Sequence, residues 1–463
     1  MIVLAFITGF IDNNGQHIRF CSEEGSYYFC PMAEEVTSGY SPIRLNDENG
    51  FIYGNTSNGR KIAIYIGMQP LICDETTGFR TGAYIISSGM TKDTDEIKSF
   101  DAISFHGGTL CKIFTAKGIE VLPPDDKSGY IAKSTSDLQE YEITLDEFRV
   151  KISVSSLVKR NISPVVKIDN SEVVLTLEFS KPQPLSDLII HYQVIRRILS
   201  FMTYRQNVVF DSIELLNYNK KFDMLLHSAD VFIRSDAKNT SKESFRCLSV
   251  EKLGNSFPNL VKITYETYYA RNKNLDREQM KKMLPSIGFI PENDSDASLM
   301  TNAKLREICS AIEHEIDNNP DINVEKNEII GAPVSDLKKK ISEFKRNNPG
   351  LSEDEYSALS SNMAHWSLPL RERIYALCQK YESNIKSIAS SRYSVYDYTL
   401  NKDAVKDFTD YRNGITHSAG STISDSIVQT AFLLSGVVYC SILKRISVED
   451  EKINEFCLNG IIS

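Results

Sequence analysis

Arg412-Asn413-Gly414-Ile415-Thr416-His417 is the stretch of this chain whose residue types and spacing could do chemistry. An imidazole that titrates near neutrality can take the proton from a ribose 2′-hydroxyl or give one to a leaving 5′-oxygen. A guanidinium fork can hold the phosphate and stabilise the charge that develops as its bond breaks. The trio therefore suits cleavage of an RNA phosphodiester without a metal ion. One imidazole cannot be base and acid in a single step, so two copies meeting across a two-fold axis would complete the pair. The spacing alone is a weak signal, because an arginine shortly before a histidine arises by chance in a chain of 463 residues. A histidine near a helix end is also more often a partner of the helix dipole.

The element that must position these groups is a helix. Ala404, Phe408, Tyr411 and Ile415 recur at three- and four-residue steps from Lys402 to His417, the stripe of an amphipathic helix. Asn401 is placed to cap it, and Asp403 favours its first turn. Arg412 falls at the edge of the stripe. Asn413 and His417, four apart, share the opposite face, so the trio is expected to point away from its own core. Gly414 costs about 1 kcal/mol relative to alanine inside a helix, and leaves room for another backbone or a phosphate.

More helices surround this one. Leu305, Ile308, Ile312 and Ile316 mark one that Asp317-Asn318-Asn319-Pro320 ends. The apolar run Ile427 to Leu443 is broken by Gln429, Ser435, Gly436 and Ser441 and is short for a span, so a buried core helix is expected. Lys338, Lys339 and Lys340 form the densest basic run, with Arg371 and Arg373 as further cations. A solvated helix face is the plain reading of all five, and contact with an RNA backbone is the sharper one.

The wording Tyr411-Arg412-Asn413-Gly414-Ile415-Thr416-His417 resembles the HEPN superfamily of ribonucleases, most closely the Apea-like HEPN domain of bacterial anti-phage defence proteins. Leu368 to Tyr375 and Ile308 to Glu315 are similar to that family too. The resemblance covers roughly Leu299 to the C-terminus, and the rest more faintly. It implies a metal-independent endoribonuclease, working as a homodimer through the HEPN domain, that cuts tRNA or other cellular RNA. Arg412, Asn413 and His417 carry over as catalytic residues by match to the motif. Glu313 is the candidate for the acid that some members add. The long N-terminal half would then sense a trigger, such as a phage-derived protein.

That half, residues 1–180, reads as β-rich and sandwich- or barrel-like. Lys61 to Ile66 has the make-up of a strand. Phe148, Val150, Ile152 and Val154 alternate with polar neighbours, as do Val173, Leu175, Leu177 and Phe179. Asn13-Asn14-Gly15, Asp47-Glu48-Asn49-Gly50, Ser57-Asn58-Gly59 and Lys127-Ser128-Gly129 punctuate it as turns. Gly54 to Lys61 comes near a phosphate-binding loop but reads as a hairpin, since a strand follows it. Pro123 to Lys127 reads as a surface loop. Residues 181–295 form a mixed α/β middle region, opening on a long helix with apolar positions from Leu185 to Met202. Its Arg196 and Arg197, with Arg205 just beyond, are expected on a solvated face. The Pro/Gly/Asn/Asp-rich stretch Pro285 to Asp296 is the expected boundary before a helical bundle at 296–463. Ser383-Asn384-Ile385-Lys386 has the spacing of a Ser-x-x-Lys nucleophile without its companion motifs. The fold class is thus α+β, a β-rich half followed by an all-α bundle.

Composition narrows the rest. A net charge of −9 argues against a generally basic nucleic-acid coat, so RNA contact needs a local patch. The nine cysteines are scattered without a Cys-x-x-Cys pair, as in a reduced cytoplasmic protein with no structural zinc. Met1 to Phe10 lacks the basic lead of a signal peptide and reads as a first strand. No cofactor and no membrane contact are expected.

Overall fold

Alternating apolar residues and tight turns build the first half of the chain. The computed structural model describes residues 6–13, 16–23, 26–32, 43–45, 50–67, 71–73, 78–90, 97–114, 120–122, 131–133, 139–161, 167–219, 224–235, 246–270, 282–291, 300–319, 322, 336–337, 339–348, 350, 352, 369–393, 400–417 and 423–461. Two compact units emerge. One comprises Met1–Leu199, Asn207–Glu243 and Ser249–Lys252; the other comprises Ser200–Gln206, Ser244–Leu248 and Leu253–Ser463. A β-rich half is followed by a helical region, as the patterning implies.

The strands of the first unit are β1 (Phe6–Asn13), β2 (Gln16–Glu23), β3 (Tyr28–Met32), β4 (Ile43–Leu45), β5 (Phe51–Thr56), β6 (Arg60–Tyr65), β7 (Leu71–Cys73), β8 (Phe79–Arg80) and β9 (Ala83–Met90). They continue with β10 (Ser99–His106), β11 (Glu120–Leu122), β12 (Ile131–Lys133), β13 (Gln139–Thr144), β14 (Arg149–Asn161), β15 (Lys167–Pro184), β16 (Ser212–Asn219) and β17 (Met224–Ile233). Thirteen of them form one sheet in the order β13-β14-β15-β10-β16-β17-β9-β6-β5-β1-β2-β3-β8, while β4–β7 and β11–β12 pair separately. Phe148, Val150, Ile152 and Val154 are buried as their alternation requires, and so are Val173, Leu175, Leu177 and Phe179. Ile11, Phe20, Phe29, Ile62, Ile64, Tyr84 and Ile86 make the core at the other end of the sheet.

The near-miss phosphate loop is the β5–β6 hairpin. Gly59 takes φ +81°, a left-handed value that a side chain resists, and its N–H donates to the Thr56 carbonyl at 2.9 Å. The Thr56 hydroxyl donates to Asn58 Oδ1 at 2.6 Å and accepts from the Arg60 N–H at 3.0 Å. Its polar groups are thus spent on the turn itself. Asn14, Gly15, Asp47 to Asn49, and Pro123 to Gly129 lie outside the described residues.

A four-residue helix, α1 (Leu110–Ile113), follows β10. The long middle helix is α2 (Leu188–Thr203), entered through one 3-10 turn at Leu185–Asp187. Its polar residues are less solvated than the sequence suggests. Arg197 is buried, and His191 has no exposed surface. The His191 ring lies 4.4 Å from that of Phe179, 5.8 Å from Phe100 and 6.2 Å from Phe148. The expectation of a solvated arginine face is therefore corrected for Arg197: apolar positions surround most of this helix, leaving little of its circumference for water. Arg196 and Arg205 are half-buried.

The second unit is helical: α3 (Val250–Leu253), which straddles the division, then α4 (Ser256–Ala270), α5 (Asn302–Asp317), α6 (Leu370–Lys380), α7 (Glu382–Tyr393), α8 (Lys402–His417), α9 (Asp425–Arg445) and α10 (Asp450–Leu458). α9 is its centre, with a continuous buried run from Thr430 to Leu443. α5, α7, α8 and α10 pack on it. α9 is the one helix among the described residues long and apolar enough to cross a membrane, and 78% of its apolar window is buried inside the protein. The end of α2 joins this unit: the Phe201 ring stacks on Tyr439 at 4.4 Å, and Tyr439 Oη donates to the Phe201 carbonyl at 3.0 Å. Residues 285–291 lie within this unit, with Phe289, Ile290 and Pro291 buried. Gln206 Nε2 donates to the Ile290 carbonyl at 2.6 Å, which fastens the segment in place.

Candidate functional site

The Arg412 helix starts where its sequence says. The Asn401 side-chain oxygen accepts the Ala404 N–H at 2.8 Å, a helix cap, and Asp403 sits in the first turn. Its buried face is rotated from the expected one. Val405, Phe408, Thr409 and Ile415 are buried, whereas Ala404 and Tyr411 are only half-buried. Thr409 tolerates burial because its hydroxyl donates to the Lys406 carbonyl at 2.9 Å.

That rotation changes the placement of Arg412. It follows Val405 by seven and Phe408 by four, so it lies on the inward stripe and turns towards α5. Its Nη2 sits 3.2 Å from Glu313 Oε1, and Nη1 donates to Asn413 Oδ1 at 3.2 Å. The expectation that all three polar groups point away from the core is corrected for Arg412. Asn413 is exposed as expected. His417 closes the helix, and its side chain lies outside the described residues.

α5 holds the last two turns of α8 at three points. Asn302 Oδ1 accepts the Tyr411 hydroxyl at 3.1 Å, the Arg306 guanidinium donates to the Ile415 carbonyl, and Glu313 takes Arg412. Asn302, Arg306, Cys309 and Glu313 follow one another at steps of four, three and four, so they share one face of α5. Leu305, Ile308, Ile312 and Ile316 occupy the apolar face beside it, all buried. The apolar stripe is plain in the sequence; the polar one alongside is not, and of its members only Glu313 stood out there. Arg306 supplies a positive group to the carbonyl end of α8, where the helix dipole favours one.

Cys309 lies beneath the ion pair. Its thiol donates to Glu313 Oε1 at 3.7 Å. Burial first, and then the Glu313 charge, push its pKa up to about 12, so it stays a neutral donor at physiological pH. Gly414 is exposed, and a Cβ built there meets nothing within 4 Å. The fold of this unit does not itself demand a glycine at that position.

The outlying cations fall elsewhere. Lys339 and Lys340 are exposed on a helix over residues 339–347, and Lys338 lies outside the described residues. Arg371 Nε is 3.8 Å from Glu372, and Arg373 Nη1 is 3.9 Å from Asp317 with its side chain 18% exposed. Neither of these pairs joins the Arg412–Glu313 pair. In the Ser-x-x-Lys stretch, Lys386 pairs with Glu382 at 3.0 Å. Among the described residues no group of three or more His, Cys, Asp or Glu side chains is placed to hold a metal ion.

The description "ApeA N-terminal domain 1" fits residues 10–262, more than half of the chain. The match spans all of β2 to β17 and their connections and stops short of the helices that carry Arg412. No curated protein and no solved structure matches the chain. The β-rich half, the long helix after β15 and the strands that follow it are thus the part shared with relatives, and the chain belongs to the ApeA N-terminal domain 1 family, which is associated with anti-phage defence.

Proposed function

We propose that the helical unit is a metal-independent endoribonuclease of the HEPN type, deployed in abortive-infection defence against phage, and that the β-rich half senses the trigger. The carrying observation is the placement of Arg412. A fixed guanidinium stands in the last turns of α8, held by Glu313 at 3.2 Å and beside the exposed Asn413. An oriented cation next to an open glycine is the arrangement that receiving a phosphate requires. Gly414 lets an RNA backbone, or the same helix of a second copy, come close.

In this reading the 2′-oxygen attacks phosphorus and the 5′-oxygen leaves, giving a cyclic phosphate and a free 5′-hydroxyl. His417 moves the proton, Arg412 steadies the phosphate charge, and Asn413 donates its amide to a phosphate oxygen. A homodimer with two facing α8 helices supplies the second imidazole. tRNA is the favoured target class, in the cytoplasm. The test is incubation of the purified chain with total bacterial RNA in EDTA, beside His417→Ala and Arg412→Ala. Cleavage by the parent chain that both substitutions abolish supports the reading. Cleavage that survives both, or that needs added divalent metal, would falsify it.

One observation favours a second reading. Arg412 is already engaged by an acid and an amide, so its charge is partly spent before any RNA arrives. A catalytically idle HEPN module that binds RNA or a partner protein through this face needs no free guanidinium. Intact RNA in every condition, with retained binding, favours that alternative.

A further inference from the structure

Two half-exposed thiols face each other across the β2–β3 hairpin. Cys21 and Cys30 are direct partners in the antiparallel register, flanked by the Phe20–Pro31 and Arg19–Met32 pairs. Side chains alternate along both strands. Phe20, Ser22, Phe29 and Pro31 are buried, and the Phe20 and Phe29 rings pack 5.6 Å apart. Cys21 and Cys30 therefore share the opposite face, with the exposed Arg19, Glu23 and Tyr28. Directly opposed residues in an antiparallel pair have Cα atoms about 4.5–5.5 Å apart, inside the range of about 4.4–6.8 Å that a disulfide accepts. Burial first, and then the neighbouring Cys30 thiol, raise the Cys21 pKa.

We propose that Cys21 and Cys30 form a reversible dithiol–disulfide site that reacts with small-molecule disulfides of the glutathione type. One thiolate attacks the small disulfide and releases one small thiol, leaving a mixed disulfide on the protein. The second protein thiolate then attacks the protein sulfur and releases the second small thiol. Two protein thiols and one small disulfide thus become one protein disulfide and two small thiols, and an excess of small thiol reverses the exchange. The bond closes the hairpin and ties β3, near the end of the sheet, to β2. A second close pair among the described residues, Cys440 and Cys457, has its sulfurs 3.5 Å apart but is fully buried, so a soluble disulfide cannot reach it.

The experiment uses the full chain and oxidised glutathione at pH about 8.5, near the ordinary thiol pKa. Remaining thiols are alkylated under denaturing conditions and peptides are mapped without reduction. The expected product joins Cys21 to Cys30, is lighter by two hydrogen atoms, and disappears with excess dithiothreitol. In Cys30→Ser the second attack is lost, so Cys21 should accumulate the glutathione adduct. Full alkylation of both thiols in the parent chain would overturn the proposal. So would a link from Cys21 to the exposed Cys111, or a Cys30→Ser chain that gains no adduct.

Discussion

The Glu315 carboxylate has no exposed surface, and its Oε1 lies 3.1 Å from Arg445 Nη1. Its Oε2 accepts the Ser441 hydroxyl at 2.7 Å, and Arg445 Nη2 donates onward to the Met283 carbonyl at 2.9 Å. α5, α9 and the segment before residue 291 are thus joined through one buried charge. Burial outweighs both Arg445 and Ser441 and raises the Glu315 pKa. This is the usual balance for a buried pair, in which desolvation offsets much of the attraction.

Removing one partner exposes that balance. Arg445→Ala strands the carboxylate and should cost about 3–5 kcal/mol of stability. Glu315→Gln/Arg445→Ala leaves no buried charge and should recover part of the loss. Urea unfolding of the three chains measures both steps; a double variant no more stable than Arg445→Ala would show that the charge is not the cause.

His191 gives the first unit an acid sensitivity. Complete burial lowers its pKa from 6.5 to about 3. The unfolded chain therefore binds a proton between those values that the folded chain refuses. The stability of this site is fully present above pH 6.5 and falls as pH drops towards 3, by up to about 1.4 kcal/mol for each pH unit. His191→Phe, among Phe100, Phe148 and Phe179, should flatten that slope. Unfolding curves of the two chains at pH 7, 6 and 5, chosen about the ordinary histidine pKa, provide the comparison, and parallel losses would place the sensitivity elsewhere.

How much of this was readable from the residues follows from what each signal depends on. Phe148 to Val154 and Val173 to Phe179 announce themselves because a strand has a period of two and one buried side. The Leu305 to Ile316 stripe, the Asn401 cap and the buried run of α9 are equally local. The rotation of α8 was not local. Val405 and Thr409 are buried in place of Ala404 and Tyr411, and only the packing of α5, α6 and α9 decides which of two adjacent stripes turns inward. Arg412 changed surroundings with it. Arg306 and Asn302 carry no such signal, because a polar residue beside an apolar stripe looks like any solvated position until its partner helix is placed. The β-rich half could be read as strands, yet its strand order, with β10 between β15 and β16, depends on pairings far apart in sequence.

The basic run separates a solvated face from an RNA-binding one. Lys339 and Lys340 are exposed, so replacing them, with Lys338, by glutamine should leave stability unchanged within about 0.5 kcal/mol. If they meet phosphates, RNA binding weakens, and the slope of log affinity against log salt falls by about one for each phosphate left without its lysine. A filter-binding series over salt concentration reads this directly. An unchanged slope returns the lysines to a role in solubility.

Glu313 tests the proposed chemistry through Arg412. Their side chains are 39% and 32% exposed, so water screens the pair and its worth to stability is at most about 1 kcal/mol. Its effect on position is larger, because Glu313 Oε1 fixes one end of the guanidinium while Asn413 Oδ1 meets the other. Glu313→Gln keeps the shape, removes the charge and loosens that hold. In a nuclease the turnover rate should fall about tenfold while RNA affinity holds or rises, since a misplaced group costs rate more than binding. In an idle binding module the same change should only tighten RNA, because an arginine relieved of its acid regains its full charge. Single-turnover cleavage and equilibrium binding on the same preparations distinguish the two, and a Glu313→Gln chain that cuts at the parent rate would remove Glu313 from the site.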